Sequence, residues 1–247
     1  AHRVKMEILD DLDVWVDRLE QSVVSNGGIV YRASTAGSAC EYVLQIAKDN
    51  HVDSVVKGKS MVTEEIDLNE RLLEAGLDVV ETDLGEYIIQ LAGERPSHIV
   101  APAIHKSLDD VADLYHEQFG TDRSMSAAQL TAWTRRRLRP KFLDADMGIS
   151  GANFAIAETG TLVIVENEGN ARLTTSVPRI HVAVTGIEKV IRSWDDLQAL
   201  LPLLPASATG QQVTSYVSFL NGPRLSEETE GPEQFHLILL DNGRKEI

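Results

Sequence analysis

A chain of 247 residues, 43% hydrophobic and 25% charged, has the make-up of a soluble globular protein long enough to bury a substantial core. Its formal charge of −15 repels the phosphates of nucleic acid and of anionic lipid, so neither is expected as a partner. Cys40 is the single cysteine, which excludes an intramolecular disulfide, a thiolate zinc site and an iron–sulfur cluster held by these residues alone.

The amino end, Ala1-His2-Arg3-Val4, runs into Glu7, Asp10, Asp11 and Asp13 without the apolar core of a secretory signal. No later run approaches the roughly 20 apolar residues of a membrane span, so a cytoplasmic setting is expected. The first residue is not Met, which suggests a cut or processed chain. Leu12, Val16, Leu19 and Val23 predict a helix over 10–25 that Asn26-Gly27-Gly28 closes, an N-terminal helical portion over 1–27. Ile29-Val30-Tyr31 reads as a short strand. A helix opens at Ser34–Ser38, with Ser38 and Glu41 spaced as a capping box, and carries Cys40 as a small buried hydrophobe. The next strand is Val52–Val56, the next helix Thr63–Ala75, stopped by Gly76, and the next strand Leu77–Glu81. Asp83 to Glu86 caps a helix to Leu91; His98–Ala101 reads as a strand; Ser107 and Asp110 open a helix that Gly120 ends.

This strand–helix alternation predicts an α/β fold, a mainly parallel sheet flanked by helices, in one domain over 1–247. A helix over 126–139 follows, stopped by Pro140, and its Arg135–Lys141 cluster reads as a solvated helix end or as a dock for an acidic partner or phosphate. Residues 161–175 then read as a β-hairpin, Ile180–Val184 as a strand, Asp195–Leu201 as a helix, and Val213–Leu220 and Phe235–Leu240 as late strands around a long acidic loop.

Parallel sheets bind ligands beyond the carboxyl ends of their strands, where helix N-termini offer free N–H groups. Lys57-Gly58-Lys59-Ser60 leaves a strand and enters a helix; its ammonium groups and hydroxyl suit a small carboxylate or phosphate, or form a plain surface turn. Thr82, Asp83 and Glu86 have that placement too, although N-capping explains both acids. No G-x-G-x-x-G or Walker sequence occurs, so a standard nucleotide site is unsupported. His98 and His105 lack the spacing of a metal pair, and no metal is expected. His181 and His236 alternate with apolar residues as satisfied sheet positions.

The densest stretch joins Gly148, Gly151 and Asn153 to Glu158, Thr159, Gly160 and Thr161, with Asn170 and Arg172 beyond. Its glycines let a ligand approach the backbone, and its small polar groups can orient one. Glu158, flanked by small and apolar residues, is a candidate base, nucleophile or substrate-orienting group, or else a turn acid pairing with Arg172.

The run from Gly151 to Leu162, with Glu168-Gly169-Asn170-Ala171-Arg172-Leu173, resembles the signature of the LUD domain of lactate-utilization proteins. So do Lys59-Ser60-Met61, Thr82–Glu86, Pro178–His181 and Gly186–Lys189, while the tail from Gly222 to Arg244 is similar to the B branch of that family. The resemblance implies a NagB/RpiA/CoA-transferase-like fold and an iron–sulfur complex that oxidises L-lactate to pyruvate. It implies other lactate-utilization subunits as partners, and leaves room for a homo-oligomer and a small carboxylate ligand. In that family a ferredoxin-like segment binding 4Fe-4S clusters follows the LUD domain; these residues stop about where it would begin. Two further functions stay open: carboxylate activation of the CoA-transferase or ligase type through Glu158, and a non-catalytic docking module.

Overall fold

Short apolar strands alternating with amphipathic helices are what the chain forms. The computed structural model describes residues 1–98 and 101–246. Its first half runs α1 (His2–Asp10), α2 (Leu12–Ser25), β1 (Ile29–Ala33), α3 (Ala36–Asp49), β2 (Ser54–Lys57), α4 (Met61–Glu65), α5 (Leu68–Glu74), β3 (Asp78–Glu81), α6 (Leu84–Ala92) and α7 (Leu108–Phe119). It continues with α8 (Ala127–Asp144), β4 (Met147–Ser150), β5 (Phe154–Ile156), β6 (Thr161–Glu166), α9 (Asn170–Ser176), β7 (Ile180–Gly186) and β8 (Val190–Ile191). Last come α10 (Trp194–Leu200), α11 (Leu203–Thr209), β9 (Tyr216–Leu220) and β10 (Gln234–Leu240).

The main sheet has six strands in the order β1-β10-β7-β4-β2-β3, every pair parallel. Both faces are covered, which is why its strands read as continuous apolar runs. Val55, Val79, Met147 and Ile149 pack with α3 and α5 through Val43, Ile46, Leu68 and Leu72. Val56 and Val80 face the other way, toward Tyr87, Tyr115, Leu138 and Phe142 of α6, α7 and α8. At the β10 end, Leu237 and Leu239 meet Val16, Leu19 and Val23 of α2 together with Leu162 and Val190. Those last two belong to a second, mixed sheet of four strands, β8-β5-β6-β9.

Several expectations need correction. Residues 161–175 are not a hairpin: β6 pairs antiparallel with β5 and β9, and the segment beyond it is the helix α9. The Glu166 carboxylate accepts from the Ala171 and Arg172 N–H groups at 2.9 and 2.8 Å, satisfying donors that a helix start leaves open. The helix expected over 63–75 is two, broken where Asp67 takes a left-handed φ of 50°. Pro140 does not stop α8, because Leu130, Thr134, Leu138 and Phe142 form a buried stripe that carries it to Asp144. The box on α3 is Thr35 with Ser38, one turn before Glu41. A separate helix covers His2–Asp10. The strand expected over 98–101 falls partly on 99 and 100, which lie outside the described residues.

Candidate functional site

The β2, β3 and β4 ends lie side by side, with Lys57 beside Glu81 on one flank and Ile149 on the other. After β2 the Gly58 N–H donates to the Ile149 carbonyl at 2.9 Å, and Ser60 caps α4 by accepting from the Thr63 N–H at 3.4 Å. After β3, Asp83 caps α6 by accepting from the Glu86 N–H at 3.1 Å. After β4 the chain passes so near the β2 loop that a Cβ at Gly151 would stand 2.6 Å from Ser60 Oγ. Asn153 Oδ1 accepts from the Val165 N–H at 2.8 Å, which holds this loop against β6.

These strand ends, the end of β6 and α11 enclose a cleft of about 370 Å³. It collects Lys59, Ser60, Asp83, Gly151, Asn153 and Asn170 from the residues singled out in the sequence. With its amide turned to satisfy both groups, Asn170 donates to Glu166 Oε2 at 3.1 Å and accepts from the Asp83 N–H at 3.2 Å, tying α9 to α6 across the cleft. The Glu166 and Asp83 carboxylates on its wall are thus engaged with helix N–H groups. Glu166 was missed in the sequence because its role depends on α9 being a helix. Below the floor, Ser150 Oγ lies 2.8 Å from His181 Nε2, and burial pushes His181 down to about 3, so the ring is neutral.

Lys57, Thr82 and Glu86 stand behind the cleft. Thr82 is buried and its hydroxyl donates to the Lys57 carbonyl at 2.9 Å. The Lys57 ammonium, 1% exposed, lies 2.8 Å from Glu81 Oε1 and donates to Thr63 Oγ1 at 3.1 Å. Glu86, 4% exposed, is pushed up to about 8, first by burial and then by the neighbouring Glu64 and Glu81 charges. Gly148 is a packing residue: its Cβ would meet the Thr174 carbonyl oxygen of α9 at 1.8 Å.

Glu158 is not brought to this cleft. It sits on the tight turn between β5 and β6, exposed, and its carboxylate accepts from the Trp194 backbone N–H at 3.0 Å, at the start of α10. Among the described residues no ion pair joins it to Arg172, which lines a separate surface groove with Arg179 and Arg224. The polar groups beside Glu158 fasten the turn to α2. Ser22 Oγ donates to the Ala157 carbonyl at 2.7 Å, and Asn26 Nδ2 to the Thr159 carbonyl at 2.8 Å. Gly160, at φ 71°, would place a Cβ 2.8 Å from the Ser22 backbone. Thr159 and Thr161 share a hydroxyl contact of 2.8 Å, and Thr161 donates to Asn221 Oδ1 at 2.7 Å.

Outside this region, Arg137 of the basic cluster lies 4.2 Å over the Phe119 ring, and Lys141 pairs with Asp78 at 2.6 Å. His105 pairs with Glu94 at 2.8 Å.

A model of the LUD domain matches residues 16–240. Along the whole chain the sequence is 45% identical to Lactate utilization protein B of Shouchella clausii and 46% identical to that of Bacillus cytotoxicus. It is 44% identical to an uncharacterized electron transport protein of Escherichia coli. In each case the match covers 52% of the relative, so the chain spans about half the length of these curated proteins. A crystal structure of a DUF162 family protein from Deinococcus radiodurans shares the fold, with a TM-score of 0.52 at 13% identity over 93% of this chain and 98% of that one.

Proposed function

Since this chain belongs to the LUD domain family, we propose that it is the LUD portion of a lactate-utilization subunit, within an iron–sulfur complex that oxidises L-lactate to pyruvate. The observation that carries this reading is the identity of about 45%, sustained over all 247 residues, to proteins named Lactate utilization protein B. The cleft at the β2, β3 and β4 ends is the site we assign to the small carboxylate. Lys59 supplies the countercharge and the Ser60 hydroxyl a hydrogen bond, while Gly151 lets the loop after β4 pack against Ser60.

Going from lactate to pyruvate removes two electrons and two protons from the carbinol carbon and its hydroxyl, so the complex needs an electron acceptor. The residues here do not fit a 4Fe-4S cluster. Cys40 is the single thiol, buried with Sγ 3.4 Å from the Ile66 carbonyl, and burial pushes that thiol up, away from the thiolate a cluster requires. In this reading the clusters belong to sequence outside residues 1–247, and the LUD portion binds and orients. The partners are the other lactate-utilization subunits.

A competition measurement tests the assignment. Isotope-labelled L-lactate bound to the assembled complex is displaced by unlabelled L-lactate, and the bound fraction is compared with that for the Lys59→Met complex. Loss of about tenfold in affinity is expected for a charge-assisted carboxylate contact, and equal affinity of the two complexes removes Lys59 from the site.

A further inference from the structure

Behind the wall formed by β2 and β3, away from the lactate cleft, lies a second, half-open cavity of about 510 Å³. Glu64, Glu81 and Glu86 line its inner end around the Lys57 ammonium, which is already paired with Glu81, and the Lys59 charge also reaches Glu64 and Glu86. Four buried oxygens there lack a donor: Glu64 Oε1, Asn69 Oδ1, Glu81 Oε2 and Glu86 Oε1. All four are acceptors. Burying acceptors without partners is unfavourable, and buried carboxylates whose charge is incompletely compensated are more so.

We propose that this cavity binds an alkyl diammonium, one end of which enters the carboxylate cluster while the other meets Glu70 and Asp67 at the rim.

A proton held by Glu86 creates one donor and satisfies that oxygen and one neighbour; two of the four remain without a partner. An ammonium group brings three N–H donors and a full positive charge, answering both deficits together. A bare metal ion fits poorly, because no group of three or more His, Cys, Asp and Glu among the described residues is spaced to hold one. Leu73 and Ile89 supply apolar wall for the methylene chain between the two charges. At the rim Glu70 and Asp67 are exposed; Asp67 shares its charge with Arg95 at 3.2 Å. Burial holds Glu64 above the usual carboxylate range and Glu86 near 8, so at neutral pH an entering ammonium displaces a proton.

The experiment is calorimetric titration of 1,4-diaminobutane into residues 1–247 at neutral pH, in two buffers of different ionisation enthalpy. Sodium chloride at matched ionic strength is the reference. The expected result is a saturable one-to-one heat that changes with buffer, because protons are released. Glu86→Gln weakens binding by about tenfold or more, and Glu70→Gln, at an exposed position that leaves folding intact, by about threefold. Any of three results overturns the proposal: no saturable heat, a heat that sodium chloride reproduces, or affinities unchanged in both variants. If raising the pH changes stability but diaminobutane does nothing, the cluster holds only a proton and the diammonium site is rejected. Lys59, whose charge also acts on Glu64 and Glu86, is unchanged in both variants, and L-lactate binding is read out separately, so failure of one reading is distinguishable from failure of the other.

Discussion

Glu86→Gln offers a quantitative test of the buried cluster through the pH dependence of stability. The folded-state value of Glu86, about 8, lies above its ordinary 4.5. The fold therefore prefers the protonated acid; its contribution is fully present below about 4.5 and is lost as pH rises through about 8. At about 1.4 kcal/mol per tenfold shift in proton affinity, that gap sets a ceiling of about 5 kcal/mol. Water entering the half-open cavity screens the buried charge and brings the observable loss down to about 2 kcal/mol. Glutamine keeps the neutral shape and has nothing to lose. Urea unfolding of both proteins should thus give equal stability near pH ~5, and a variant about 2 kcal/mol more stable near pH ~9, or about 4–8 °C in Tm for a chain of this size. Glu65, Asp146 and Asp196 are held below their usual range by Arg244, by backbone and Arg179 contacts, and by Arg192 respectively. Their stability is lost on the acid side and is common to both proteins, so it cancels in the difference. Parallel pH profiles, offset or not, would refute the reasoning.

Gly148→Ala drives a Cβ into the Thr174 carbonyl oxygen at 1.8 Å, where only backbone can yield; a loss of about 3 kcal/mol or more is expected in urea unfolding. Leu19→Ala, at a fully buried position between α2 and the β10 end, should cost about 2–5 kcal/mol in the same assay. Glu158→Gln keeps an oxygen for the Trp194 N–H, so stability should change by about 0.5 kcal/mol or less and lactate oxidation by the assembled complex should persist; lost turnover would return Glu158 to the site. Purified residues 1–247 should be colourless after anaerobic iron and sulfide treatment, whereas visible absorption bleached by dithionite would show a cluster that one cysteine cannot explain.

The main sheet was legible because its strands are buried on both faces: Val55-Val56, Val79-Val80 and Leu237–Leu240 are uninterrupted apolar runs between capped helices. The strand ends at Lys59-Ser60, Asp83, Gly151 and Asn153 were legible for the same reason, since a parallel sheet gathers such ends on one side. Leu173-Thr174-Thr175 misled because β-branched residues favour strands. Here the Thr174, Thr175 and Ser176 hydroxyls donate to carbonyls three or four residues back, and Glu166 caps the helix from outside it. The polar turn around Glu158 looked like a site because small polar groups that orient a ligand are the same ones that lock a turn to a neighbouring helix. Only the positions of Ser22 and Asn26, far back in the chain, distinguish the two. The Glu64–Glu81–Glu86 cluster was invisible for a related reason: its members come from α4, β3 and α6, and nothing in a local pattern announces that three carboxylates meet beside the buried Lys57.

Whether the cleft at the β2, β3 and β4 ends serves lactate is tested most directly by steady-state oxidation of L-lactate in the reconstituted complex, comparing the full-length subunit with its Lys59→Met variant. A carboxylate held by the Lys59 ammonium predicts a KM raised about tenfold and kcat/KM lowered to match, with the melting temperature of the subunit retained. Unchanged kcat and KM in a complex that assembles normally would contradict the assignment and leave this cleft without a part in lactate oxidation.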